Sequence, residues 1–208
     1  MTTQAKSYFA FIGTYTRPPS KSEGIYVYRL DPAKGALSYV SKATGINNPS
    51  FVALHPGGRF LYAVAEIADA ANRAGGGVTS YAIDRATGSL KKLNEQSTKS
   101  AGPCHLAVDA TGRFAVVANY HGGAVTVLPL NADGSLGEAS DFIQHGAANK
   151  HDPRRQETAH AHSATIDPSN RFAIIADLGG DKVYVYRLDL SRGILEPNSP
   201  PRTPPPPG

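Results

Sequence analysis

Tryptophan is absent from this 208-residue chain, and cysteine and methionine occur once each. A lone cysteine, Cys104, rules out an intramolecular disulfide, so nothing in cysteine usage points to an oxidising compartment. No apolar run approaches the roughly 20 residues a membrane helix needs. The opening Met-Thr-Thr-Gln-Ala-Lys lacks the charged and apolar regions of a secretory signal. Together these absences predict a soluble, cytoplasmic protein without a membrane partner. Charge of one sign is also scarce: the net charge is +4, and basic residues are scattered apart from Lys91-Lys92 and Arg154-Arg155. The spaced basic cluster that nucleic acid requires is missing, which excludes that partner. No Gly-x-Ser-x-Gly elbow, phosphate-binding glycine loop or dinucleotide fingerprint occurs, so serine-hydrolase, nucleotide and Rossmann readings have no support.

What is present suits many short strands. Glycine (21) and proline (16) are plentiful, Tyr (10) and Phe (7) supply the aromatic content, and 40% of residues are hydrophobic. A repeat organises them. The segment from Asn48 to Ala65 aligns with Gly102 to Asn119 and with Ala161 to Asp177. Each copy is a β-rich run, a polar turn with Gly or Asn just before Arg-Phe, and a second β-rich run, which is a hairpin pattern. A third alternating run follows at Gly24–Leu30, Gly77–Ile83, Ala124–Leu130 and Lys182–Leu188, read as half-buried strands. A turn ending in Gly-x-Leu comes next, at Gly35, Gly88, Gly134 and Gly193, and is expected to start a short outer strand. Arg59, Arg113 and Arg171 stand 54 and 58 residues apart. Four antiparallel strands in a repeat of this length predict an all-β fold of β-propeller blades.

The expected organisation is a tail over residues 1–7, propeller blades over 8–196 and a proline-rich tail over 197–208. Phe9–Tyr15 is aligned with Leu61–Ala65, so the first blade lacks its innermost strand. A run with as many prolines as Ser199–Gly208 is not expected to supply that strand, because proline cannot donate to a ladder. Three nearly complete blades and one incomplete blade predict a partial ring whose open edges could pair with a second copy. A compact four-bladed ring closed in another way is the alternative.

Several motifs resemble the seven-bladed propeller lactonases, which include propeller-type 6-phosphogluconolactonases and cyclic-muconate lactonising enzymes. They are Gly13-Thr14-Tyr15-Thr16 with Gly24-Ile25-Tyr26, the repeated Pro-containing turn before Arg-Phe, Ala118-Asn119-Tyr120 with Gly123-Ala124-Val125, and His160-Ala161-His162-Ser163. The resemblance covers about residues 8–196 and implies about half of a seven-bladed ring, three and a half to four blades. It implies hydrolysis or closure of a small-molecule sugar lactone such as 6-phosphogluconolactone, without a metal or organic cofactor. It also implies a catalytic histidine in a His-Ser motif, matched here by His162-Ser163. The family's partner arginine, in Gly-Pro-Arg-His, and a glutamate after the next strand are expected one blade further on. Gly102-Pro103-Cys104-His105 carries Cys104 where that arginine would stand.

Opening a lactone with water needs a base for the water and a donor or cation for the oxyanion. His162 is the candidate catalytic group. His160, on the same face by strand alternation, with Ser163 and His105, are candidate substrate-binding residues. Arg154-Arg155 is read as a solvated loop or as a contact for an anionic substrate. Asn119 and Asp177 are read as turn formers or as groups reaching the channel. A metal site built on His160 and His162 with His105, His121 or Asp177 is a further possibility, and Cys104 reads as an inert thiol. A non-catalytic propeller scaffold is the competing functional class, although interaction propellers favour Trp-Asp pairs and this chain has no Trp.

Overall fold

The computed structural model describes residues 8–67, 75–146 and 151–203. Among them are fifteen strands in four antiparallel sheets. The first sheet has three strands, β1 (Tyr8–Ile12), β2 (Gly24–Asp31) and β3 (Ala36–Thr44). The second holds β4 (Val52–Leu54), β5 (Phe60–Ala65), β6 (Gly77–Ile83) and β7 (Leu90–Ser97). The third holds β8 (Pro103–Val108), β9 (Phe114–Asn119), β10 (Ala124–Pro129) and β11 (Asp141–Gln144). The fourth holds β12 (Ala161–Ile166), β13 (Phe172–Asp177), β14 (Lys182–Asp189) and β15 (Ile194–Arg202). Each sheet is a blade ordered as its strands occur along the chain, and the innermost strands β4, β8 and β12 pack side by side.

The hairpin turns show why the repeat looks as it does. Asp109 accepts hydrogen bonds from the amides of Thr111 (2.7 Å), Arg113 (2.7 Å) and Phe114 (2.8 Å). Asp167 accepts from Ser169, Arg171 and Phe172 in the same way, at 2.9, 2.9 and 2.7 Å. The residue before each Arg-Phe pair, Gly58, Gly112 or Asn170, has φ of 64°, 70° or 59°, the left-handed conformation that glycine and asparagine tolerate.

The two repeat motifs meet between blades. A Cβ on Gly134 would lie 2.2 Å from the Phe60 ring of the preceding blade, and one on Gly193 would lie 2.1 Å from Phe114. Gly88 makes the same approach to Phe9, at 2.5 Å. Thus the glycine of each Gly-x-Leu turn leaves room for the phenylalanine of the blade before. Phe9 therefore corresponds to Phe60, which corrects the expected alignment of Phe9 with Leu61 by one residue.

Packing between blades decides burial. Phe60, Tyr62 and Val64 join Leu106, Ala115, Val117 and Leu128 of the third blade. Leu61, Ala63 and Ala65 face the first blade with Ile25. β5 and β9 are consequently buried along their whole length, and β6 and β10 nearly so. The expectation that all third strands are half-buried fails for these inner blades, because both faces are covered. β13 keeps the alternation, with Ala173, Ile175 and Asp177 buried against the third blade.

Two outer strands also differ from expectation. Leu136 forms only an isolated bridge with Leu130, and the outer strand of the third blade begins at Asp141. The Asn94 side chain holds Leu136 through its amide (2.9 Å) and carbonyl (2.8 Å), fastening that segment to the second blade instead. β15 runs through Pro197, Pro200 and Pro201 to Arg202 as an outer strand, where missing donors matter least.

Candidate active site

Two β-bulges set the inner edge. β8 and β9 shift register between Pro103 and His105, and β12 and β13 shift between Ala161 and Ser163. The unpaired residues are Cys104 and His162, which a bulge re-aims out of the ladder. Ser50 holds the equivalent place ahead of β4, two residues before Val52. A second row comes from the first three blades: Tyr15, three residues after β1, and Glu66 and Tyr120, each one residue after the second strand of its blade. These six side chains and His121 line a cavity of about 270 Å³.

Glu66 is the carboxylate of this cavity. Its Oε2 accepts hydrogen bonds from the Tyr15 hydroxyl at 2.9 Å and from the Ser50 hydroxyl. Burial and then the neighbouring Glu66 raise the Tyr15 pKa, so Tyr15 keeps its proton at neutral pH. The Cys104 thiol lies against the carbonyls of His162 (3.3 Å), Ala118 (3.7 Å) and Ala161 (3.8 Å). Burial, with Glu66 adding to it, pushes its pKa up to about 12. A thiol so held is a weak donor that ties β8 to β12, and it is not a nucleophile.

His162 is exposed on the cavity wall, with its ring edge-on to Tyr120 at 5.6 Å. His160 is placed differently. It is buried, its Nδ1 meets the Tyr120 carbonyl at 2.9 Å, and its Nε2 meets Glu157 at 3.2 Å. Its ring stacks under Tyr120 at 4.4 Å. The expectation that His160 and His162 share a face fails because His160 precedes β12 and the bulge then turns His162 out. His160 is thus a support for Tyr120 rather than part of the cavity lining.

His105 is half-buried between blades, packed on Phe51 at 4.0 Å, with Nδ1 accepting the Ala164 amide at 3.3 Å. Desolvation, and then the nearby His162, lower its pKa. Ser163 is half-buried and pairs with Ala176 in β13. Neither lines the cavity. Arg154 is on an exposed turn, its amide bound to Asp152. Asn119 and Asp177 are buried at strand ends: Asn119 donates to the Ala124 carbonyl and the Thr126 hydroxyl, both at 3.1 Å.

Asp177 instead anchors a buried network behind the site. It accepts from His145 Nδ1 (2.6 Å), the His160 amide (2.9 Å) and the Gly180 amide (2.8 Å). His145 Nε2 meets the Tyr186 hydroxyl at 3.0 Å. Among the described residues no three His, Cys, Asp or Glu side chains converge as a metal site. Ser50 was not among the sequence candidates, and neither was Glu66. The signal for Glu66 was positional: it and Tyr120 hold the same place in their repeats, one residue beyond the second strand.

Comparison with known proteins adds the family. Residues 9–208 match the lactonase family described as a 7-bladed beta-propeller. A 6-phosphogluconolactonase of Bacillus subtilis (strain 168) is 40% identical over 181 residues, which are 87% of this chain and 49% of that protein. The structure of the periplasmic gluconolactonase of Pseudomonas aeruginosa superposes with a TM-score of 0.86 at 34% identity, covering 98% of this chain and 56% of that one. A candidate 6-phosphogluconolactonase of Bacteroides fragilis gives 0.87 at 31% identity, covering 98% and 56%. The chain spans about half the length of the curated relatives it matches. Four radial blades, His162-Ser163 at a bulge on their inner edge and a match over nearly all its residues establish that the chain belongs to the seven-bladed β-propeller lactonase family.

Proposed function

We propose that these blades form one wall of a lactonase site that opens a sugar lactone with water, the substrate being 6-phosphogluconolactone or a close relative. The observation that carries this reading is His162: the imidazole of the His-Ser motif is turned by a bulge onto a cavity that also holds a carboxylate, Glu66. Relatives named as lactonases support it over a non-catalytic scaffold.

In this reading water adds to the lactone carbonyl and gives up a proton, and the ring oxygen takes one as the C–O bond breaks. His162 is exposed and has no side-chain hydrogen bond to another described residue, so its ring nitrogens are available for those transfers. The Tyr120 platform, stacked on buried His160, fixes the wall against which it stands. A cytoplasmic setting goes with this reading and is supported by a single cysteine that needs no oxidising compartment.

The test is 6-phosphogluconolactone hydrolysis, corrected for spontaneous opening, by this chain alone and by the chain supplied with a complementary set of blades. His162→Ala lowers the enzymatic rate by roughly 10²- to 10⁴-fold if the imidazole moves the proton. An unchanged rate in that variant removes His162 from the chemistry.

A further inference from the structure

We propose that Glu66, Tyr15 and Ser50 form a hydroxyl-recognising subsite, an acceptor-only wall that binds the polyol carbons of the substrate and rejects its anionic end. The proposal rests on the lactonase reading above and deepens it by assigning one part of the ligand to one wall.

The protons on these groups decide what the wall can offer. A tyrosine or serine hydroxyl has one proton to donate. Tyr15 and Ser50 both direct theirs at Glu66 Oε2. What the two hydroxyls can still offer a ligand is lone pairs, and the carboxylate offers nothing else. The three groups therefore present acceptors alone. No lysine or arginine lines the cavity among the described residues. A phosphate or carboxylate brought against this wall meets a like charge with no donor to compensate, whereas the O–H groups of a polyol are the complementary donors.

The remaining lining agrees. Tyr15 and Tyr120 contribute aromatic rings against which the C–H side of a sugar chain can lie, and Tyr120 is held in place by its stack on His160. The volume of about 270 Å³ is below the roughly 300–1,000 Å³ of drug-sized sites and suits a single sugar acid. Glu66 belongs to the second blade and His162 to the fourth, with Cys104 of the third between them. A ligand spanning the cavity can thus set its hydroxyls on Glu66 while its lactone carbon faces His162.

The experiment is a titration of the 208-residue chain with D-gluconate, with hexanoate (equal in length, without hydroxyls) and with inorganic phosphate, followed by calorimetry and amide NMR shifts. D-Gluconate is expected to bind and to shift the amides of Tyr15, Ser50 and Glu66, while hexanoate does not. Glu66→Ala is expected to weaken gluconate by ten-fold or more, the scale of a hydrogen bond to a charged group, and Glu66→Gln, which keeps one acceptor oxygen, by less. If Glu66→Ala fails to fold, Tyr15→Phe and Ser50→Ala are read instead, each expected to weaken gluconate about three-fold or more. Equal gluconate affinity in the variants, equal binding of hexanoate, or displacement of gluconate by phosphate overturns the proposal. The hydrolysis assay with His162→Ala stands apart from these readouts, so the subsite can fail while the lactonase reading holds, and the reverse.

Discussion

Replacing Asp177 by alanine tests whether the buried network behind the cavity holds the fourth blade in shape. The side chains of His145 and Asp177 are 1% and 0% exposed. The carboxylate serves three donors: the His145 ring and the amides of His160 and Gly180. The Asp177 carboxylate can only accept, so the proton of a neutral His145 ring sits on Nδ1 and its Nε2 accepts from the Tyr186 hydroxyl, which burial keeps protonated by pushing its pKa up to about 12. Alanine strands all three donors away from water; at about 1–3 kcal/mol for each unpaired buried donor, less what local relaxation recovers, the loss is about 3–5 kcal/mol. For a chain of this size each kcal/mol moves Tm by roughly 2–4 °C, so Asp177→Ala should melt roughly 6–20 °C lower.

Asp177→Asn should cost less, about 1–2 kcal/mol, because its oxygen can still accept the two amides while the imidazole changes tautomer. The pH dependence has a definite sign. Burial alone would raise the Asp177 pKa, but the hydrogen bond from His145 and those from Gly180 and His160 outweigh it and hold the carboxyl below its ordinary value. A group depressed in the folded state stabilises above its unfolded pKa, about 3.9, and loses that contribution as pH falls through the folded value. The gap in Tm between wild type and Asp177→Ala should therefore shrink as the buffer is made more acidic below about pH 5. Differential scanning calorimetry across that range reads both effects. A Tm loss under about 2 °C for the alanine variant, or a gap that widens on acidification, refutes the reasoning.

Two further outcomes follow from the geometry. With its pKa pushed up to about 12 by burial, Cys104 should react with iodoacetamide at pH 7.5 more than about a hundred-fold more slowly than a free cysteine, and rapid labelling would contradict the burial of its thiol against β12. Gly179→Ala places a Cβ 1.7 Å from the Thr158 carbonyl, so the turn after β13 must move. A loss of roughly 1–3 kcal/mol in urea unfolding is expected, and an unchanged midpoint would show that the segment leading to His160 yields without cost.

The blade was legible in the sequence because its period is carried by local chemistry. Gly58, Gly112 and Asn170 mark turns that need a positive φ, the carboxylates of Asp109 and Asp167 accept the backbone amides of two of those turns, and the third runs alternate as strands must. The family resemblance rested on the same residues and on His162-Ser163, and the match over residues 9–208 agrees with it. Contacts between blades were not legible, since they join residues roughly 40 to 80 apart with no covalent sign of their meeting. The approach of Gly134 to Phe60, the diversion of Leu136 to Asn94 and the burial of β5 on both faces are of this kind.

The candidate site divides in the same way. Sequence alone determined that an imidazole follows a blade boundary, that the chain is built from four-stranded repeats, and that one free thiol lies one blade earlier. Tertiary structure decided which histidine faces the cavity: a bulge, which alternation does not encode, turns His162 outward, while the Asp177 network and Tyr120 keep His160 within. It also decided that Glu66 belongs to the site, because Tyr15 and Ser50 reach its carboxylate only when the inner edges of the first two blades are brought together.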